Sequence, residues 1–428
     1  MAILAGSMLS ALSALGGTWL ANRYLEPGEV TQFLLVWALV FALFNIVTGV
    51  QTEATRGVGN VQIHGAAPKS RALFAPLVLG VLISVAILTT YSYWGPSTEI
   101  PTWLLAIGVG LYVLHFGMVG VLAGRERWYA FAILNGGEAT IRLASLIVAG
   151  IAIGTLFSLE LTILFPVALW WLILGVVARD GRQALRSFTE VSFSRSMRNS
   201  LFAMGSSAAG AVLINGFPLI LAASEQAPRE SHTYVAMGAL ILAVSICRSP
   251  IMIPLQAFTG VAISAFLKQR HQPLRALGKP ALLITVIGAV GGIAAAIIGP
   301  SLFLLIYPPK PGAELAYADI AQGWVLGLLT FGSVFMALLT LSGAAVLALD
   351  SHRVFLLGWV VAALVTVAIL FIVPLPLTPR VLFALYIGPM FGCIAHLLGL
   401  LRVAPHFSET ASGSTLTPAD HDIKPQAT

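Results

Sequence analysis

Apolar stretches of about 20 residues follow one another along almost the whole chain, separated by short segments holding Gly, Pro and charge. A helix of that length spans the hydrocarbon of a bilayer. With those breaks as punctuation, the pattern predicts spans at about 2–24, 30–55, 71–93, 102–124, 128–153 and 159–178. A second set follows at about 200–222, 233–266, 276–299, 319–348, 354–373 and 380–402. The chain enters the first segment without a basic n-region, so that segment is read as a retained helix and not as a cleaved signal. Beyond residue 402 the sequence turns polar and loses apolar periodicity, and 403–428 is expected to be a disordered cytoplasmic tail.

The twelve predicted helices divide six and six at the most basic loop, 179–198. Aligning 33–55 with 234–256 pairs the second span with the eighth, each a long apolar helix after a short external loop. The register drifts later because the loop 300–320 is longer than its counterpart 94–101. Two six-helix halves that start on the same side are parallel repeats about an axis along the membrane normal, an arrangement of transporters that bind substrate between the halves. The expectation is an all-α polytopic membrane protein with an N-lobe over 1–198 and a C-lobe over 199–402.

Composition agrees with that reading. Of 428 residues, 58% are hydrophobic and 9% charged, and the mean hydropathy is +0.93; a soluble domain carries roughly 25% charge. The net charge of +6 fixes orientation, and no nucleic-acid partner is expected. Of 23 Lys and Arg, 17 fall in one set of alternate loops and 4 (Arg23, Arg229, Lys310, Arg380) in the other. The positive-inside rule then puts both termini in the cytoplasm. Arg outnumbers Lys 18 to 5, which fits a GC-rich bacterium and its cytoplasmic membrane. Cys247 and Cys393 sit in apolar runs without metal-ligand spacing, so neither a disulfide framework nor a metal site is expected.

Charge inside a span is costly and marks function by default. Arg248 lies near the middle of the eighth span, followed by Pro250 and Pro254, which bend a helix and free carbonyls. Freed carbonyls at that depth need protein or a water-filled cavity, so Arg248 is expected to face a cavity and an anion. The plainer alternative is a longer, tilted helix whose Arg snorkels to the interface. Glu138 and Arg142 form an i,i+4 pair in the fifth span. As a functional pair they make a proton or sodium site with Arg142 displaced in the cycle; as a structural pair they stitch helices together. Glu53 and Arg56 at the end of the second span, Asn22 and Arg23 at the end of the first, and Gln256 and Asn215 complete the candidate substrate-binding set. No Walker A, GxGxxG, HExxH or GxSxG motif is present, so no catalysis and no resident cofactor are expected.

The connection Leu20-Ala21-Asn22-Arg23-Tyr24-Leu25-Glu26-Pro27-Gly28-Glu29-Val30 resembles the link after the first helix in the multidrug/oligosaccharidyl-lipid/polysaccharide (MOP) exporter superfamily, although Thr31 stands where that family usually has glycine. Leu304-Leu305-Ile306-Tyr307 with Ala316-Tyr317-Ala318 resembles its linker into the tenth helix, and Leu122-Ala123-Gly124-Arg125 the end of its fourth. The branch resembled most is that of polysaccharide transporters, flippases of lipid-linked oligosaccharides. The resemblance implies a V of two lobes around a cavity lined by the first, second, seventh and eighth helices, with alternating access. By position it puts Arg248, Arg56 and Glu53 on cavity helices. It also implies a monomer whose ligand is a polyprenyl-linked glycan lipid, working with glycosyltransferases of the same pathway for cell-envelope assembly. The two extra helices usual in lipid II flippases are missing. So is the acidic residue that drug exporters often carry in the first helix. A MATE-like drug or small-molecule antiporter remains the alternative. A polyprenyl-dependent glycosyltransferase is disfavoured because no large external loop carries acidic residues.

Overall fold

A computed structural model describes the backbone of residues 2–176, 179–269, 272–349 and 351–412, with a few side chains within these ranges left out. The chain runs through α1 (Ala2–Tyr24), α2 (Pro27–Gln62), β1 (Ser70–Arg71), α3 (Phe74–Trp94), α4 (Thr102–Gly124), α5 (Trp128–Ala152), α6 (Leu156–Val176) and α7 (Arg179–Leu185). It continues through β2 (Phe188–Thr189), α8 (Phe193–Ile214), α9 (Phe217–Glu225), α10 (His232–Lys268), α11 (Pro273–Ile306), α12 (Glu314–Ile320), α13 (Gly323–Leu347), α14 (His352–Ile372) and α15 (Leu377–Ser412). Helices occupy all twelve predicted stretches. Among the described residues ten are long and apolar enough to cross a membrane, and the bent pair α8–α9 makes an eleventh.

The boundaries follow local chemistry. Glu26 and Glu29 close a capping box at the start of α2, with Pro27 in its first turn, where a missing N–H costs nothing. Ser231 caps α10 by accepting from the Tyr234 N–H. Three expectations need correction. The loop expected at 300–320 is mostly helical, because α11 continues through Pro300 to Ile306 and α12 begins at Glu314. The seventh span is not one rod: α8 and α9 meet at 59°. And α15 continues to Ser412, ten residues past its expected end; the rest of the expected tail lies outside the described residues.

The repeat is visible in the packing, with α8 as the exception because it packs chiefly on α2 of the first half. In the first half α2 packs on α4, α3 on α4, α1 on α5 and α5 on α6; in the second α10 packs on α13, α11 on α13, α8 on α14 and α14 on α15. A small antiparallel ribbon, Ser70 opposite Thr189, ties the α2–α3 loop to the segment before α8. The apolar core is undivided at the end away from the termini, where Leu20, Phe33 and Val40 share a cluster with Tyr234, Leu240, Phe303 and Tyr307. Toward the terminal end it splits. One branch holds Val58, Met118, Leu122 and Leu134, and the other Phe266, Leu341, Val346 and Leu400. The two lobes therefore form a V that diverges toward the end bearing the basic loops.

Candidate substrate cavity and buried charge network

Between the arms of the V lies a cavity of about 490 Å3, lined from α1 by Ser10, Ala14 and Thr18, from α2 by Trp37 and Phe41, and from the second half by Asn215, Phe217, Ser245, Arg248 and Ser249. Trp37 and Phe41 stack with ring centroids 4.6 Å apart. Arg248 is the charged member of this lining, and among the described residues no carboxylate lies within ion-pairing distance of it. Its Nη1 donates to the Ile214 carbonyl oxygen at 3.0 Å.

That bond explains the break between α8 and α9. In a continuous helix the Ile214 carbonyl would accept from the N–H of residue 218, but residue 218 is proline and has none. The Asn215 and Gly216 N–H groups both turn back to the Ala211 carbonyl. The stranded Ile214 oxygen is taken instead by the Arg248 guanidinium, which keeps its remaining N–H groups for the cavity. Asn215, at the break, donates from Nδ2 to the Phe41 carbonyl at 3.0 Å and so ties the C-lobe to α2. α10 itself passes through Pro250 and Pro254 without interruption.

A second cavity of about 430 Å3 adjoins the first through Ser10, Phe41 and Asn215 and reaches into the N-lobe. Glu138 and Arg142 are both buried there, with Nη1 to Oε1 at 2.9 Å. Tyr112 donates to the same Oε1 at 2.5 Å. Arg142 Nε donates to Ser13 of α1 at 3.2 Å, and the guanidinium lies 4.9 Å from the Phe41 ring centroid. His115 lines the same space, and its Nδ1 has no hydrogen-bond partner among the described residues. The network thus joins α1, α2, α4 and α5. Tyr112 and Ser13 give no sign of this in the sequence, because single hydroxyls are common in spans and their partners are distant in the chain.

The remaining predicted residues lie elsewhere. Asn22 is buried outside the cavity, donating to the Tyr317 hydroxyl at 2.7 Å. Thr18 and Tyr307 meet at 2.9 Å, and Thr31 donates to the Tyr234 carbonyl at 3.1 Å. These three contacts join the lobes at the closed end. At the last of them Gly238 faces Thr31 so closely that a Cβ would overlap it. Arg23 is exposed at the end of α1 and lines neither cavity. Glu53 and Arg56 pair at 2.7 Å at the terminal end of α2, away from the inter-lobe cavity. α2 is 36 residues long and extends beyond the cavity, which the expectation did not allow for. The Gln256 side chain lies outside the described residues.

The long apolar helices make this a multi-pass membrane protein, and its two helical lobes in a V around a cavity have the fold of the MATE transporters of the MOP superfamily. An inward-facing multidrug resistance MATE family transporter superposes with a TM-score of 0.68 at 13% identity, over 96% of each chain. A MOP superfamily transporter from Pyrococcus furiosus, described as having a binding pocket of reverse polarity that suggests a different function, gives 0.64 at 14% identity, over 95% of this chain and 94% of that one. No protein-family model matches. The chain belongs to the family of the uncharacterized protein Rv1510 of Mycobacterium tuberculosis, to which it is 32% identical over 392 residues, 90% of this chain and 87% of the relative. The uncharacterized protein Rv3630 of the same species is 31% identical over 406 residues, 92% of this chain and 90% of its own.

Proposed function

We propose that this protein flips a polyprenyl phosphate- or pyrophosphate-linked sugar across a bacterial cytoplasmic membrane by alternating access, for cell-envelope glycan assembly. The observation that carries the reading is the sign of the inter-lobe cavity: one arginine, no carboxylate among the described lining, and an aromatic and hydroxyl wall. An Arg fork suits phosphate oxygens, while a cationic drug would meet an unscreened like charge. The Trp37 and Phe41 rings offer faces to a sugar, and a prenyl chain remains in lipid between the diverging arms. With the basic loops in the cytoplasm, the V described here is the inward-open state, and Thr18, Asn22 and Thr31 are the outer seal. The relatives are mycobacterial, which suits an envelope glycan.

The test is a reconstituted flipping assay with a lipid-linked glycan. Arg248→Ala is expected to lose transport at normal protein levels, and Arg248→Lys to keep part of it. Full transport by Arg248→Ala would sink the proposal.

One observation favours the second reading, a MATE-like small-molecule antiporter: the Glu138–Tyr112 pair faces a cavity continuous with the first, as an ion-coupling carboxylate would. An ion gradient that drives uptake of small cations, with no movement of glycan lipid, would decide for it.

A further inference from the structure

At the terminal end of the bundle, outside the inter-lobe space, a separate cavity of about 460 Å3 is lined by Arg56, Lys69, Glu190, Arg195, Arg198 and Asn199. Its charges are unevenly matched. Arg56 is held by two carboxylates, Glu53 at 2.7 Å and Glu190 at 2.5 Å. The same carboxylates accept from Asn199 and Asn60, each at 3.0 Å. Lys69, Arg195 and Arg198 have no carboxylate partner and no side-chain hydrogen bond among the described residues. They are nonetheless held close together. The Lys69 N–H donates to Thr189, and Ser70 Oγ donates to Val191, both at 2.8 Å, so the ribbon fastens the Lys69 loop to the start of α8. Three unscreened cations around one concave space repel one another and concentrate a positive field that an entering anion relieves.

Exposed apolar side chains lie beside these cations. One turn beyond Arg198 on the same side of α8 come Leu201 and Phe202, the latter 75% exposed, and Phe74 at the start of α3 and Phe188 in the ribbon are also exposed. Cations at the end of a span with bare apolar side chains directly above them match a lipid, its phosphate at the interface and its acyl chains along the helices.

We propose that this pocket is a binding site for the phosphate of an anionic lipid head group, held by Lys69, Arg195 and Arg198. It is distinct from the Arg248 cavity. The bidentate fork of each Arg and the point charge of Lys69 take the phosphate oxygens, while Glu53 and Glu190 keep Arg56 out of the exchange.

The test uses the full-length purified protein, scored for phosphatidylglycerol and phosphatidylcholine retention by native mass spectrometry. The wild type is expected to hold phosphatidylglycerol at least tenfold more tightly than phosphatidylcholine. The Lys69→Ala/Arg195→Ala/Arg198→Ala triple variant should lose about a hundredfold in phosphatidylglycerol affinity, at roughly a few-fold per cation near a membrane surface. Arg195→Lys/Arg198→Lys should keep most of it. Arg248→Ala should retain the lipid while losing transport, so this site and the proposed function fail separately. Inorganic phosphate is titrated against lipid-free protein as a second arm. Saturable binding lost in the triple variant means that the pocket takes free phosphate as well; no binding there, with lipid retention intact, assigns the pocket to lipid alone. Equal retention of the two lipids, or unchanged affinity in a triple variant of normal thermal stability, overturns the proposal.

Discussion

The latch between Arg248 and the broken seventh span can be tested by a double-mutant cycle. Arg248→Ala removes a charge-assisted hydrogen bond and leaves the Ile214 carbonyl without a donor, since Pro218 has none. A stranded acceptor at that depth costs about 1–3 kcal/mol. Pro218→Ala restores an N–H that reaches Ile214 once α8 and α9 straighten. Straightening is a large change. The nine residues of α9 form a rod roughly 13 Å long at about 1.5 Å per residue, and undoing the 59° bend carries its tip through a similar distance, about 13 Å. The Glu225–Arg380 ion pair resists that swing at the tip. In a Pro218 background Arg248→Ala is therefore expected to cost about 2 kcal/mol, and in a Pro218→Ala background much less, a coupling of about 1–2 kcal/mol. Unfolding by sodium dodecyl sulfate in mixed micelles measures all four corners, and the loss of cavity contacts on removing Arg248 cancels in the cycle. Equal costs in the two backgrounds, within about 0.3 kcal/mol, would refute the latch.

Other perturbations address the seal, the buried pair and the basic end. Gly238→Val should wedge α2 from α10 at Thr31, so that Thr18→Cys, in a background with Cys247 and Cys393 replaced by serine, becomes reactive to an impermeant thiol reagent added outside; unchanged protection would show that this contact does not close the cavity. Glu138→Gln leaves Arg142 buried without its counter-charge, and breaking such a pair costs about 3–5 kcal/mol. A fall in stability with gradient dependence unchanged marks the pair as structural, whereas loss of gradient dependence marks it as coupling. Burial pushes the Glu190 carboxyl up, but the Asn60 amide and the Arg56 guanidinium outweigh it and hold it below its ordinary value of 4.5. Glu190 therefore stabilises the fold above that value and ceases to do so as the pH falls through its lowered one. Acid titration of stability in wild type and Glu190→Gln should converge at low pH, and parallel curves would contradict the assignment.

The spans and their twofold arrangement are legible in the sequence because bilayer thickness dictates helix length and charge is excluded from the interior. Arg248, Glu138 and Arg142 are legible for the same reason. The bend at Asn215 is not, because proline alone does not decide it. Pro166 in α6, Pro280 and Pro300 in α11, and Pro250 and Pro254 in α10 all leave their helices continuous. At Pro218 a donor from another helix is available for the freed carbonyl, and that is a property of the packing. The helices that carry Asn22 and the Glu53–Arg56 pair line the cavities, but a helix of 23 or 36 residues reaches well past them, and each of these groups binds another partner beyond the cavity edge.

The helix α8 changes sides along its length. Phe193 packs on Phe74, Asn199 holds Glu53, and Gly49 leaves room for the Met204 backbone, all on the first lobe. From Ala209 onward its neighbours are Met252, Met336 and Trp359 of the second lobe. The sequence repeat is expected to divide the chain near residue 198, whereas the packing divides it between Ser207 and Ala209, inside an unbroken helix. α8 is thus a strut some 33 Å long at about 1.5 Å per residue, anchored in both lobes. If the arms swing, its length is conserved, and the rotation is confined to the break at its far end or to sliding at the Gly49 crossing. Probes placed on α8 between Asn199 and Ser207 would then report the motion of the lobe opposite to the one their repeat assigns them.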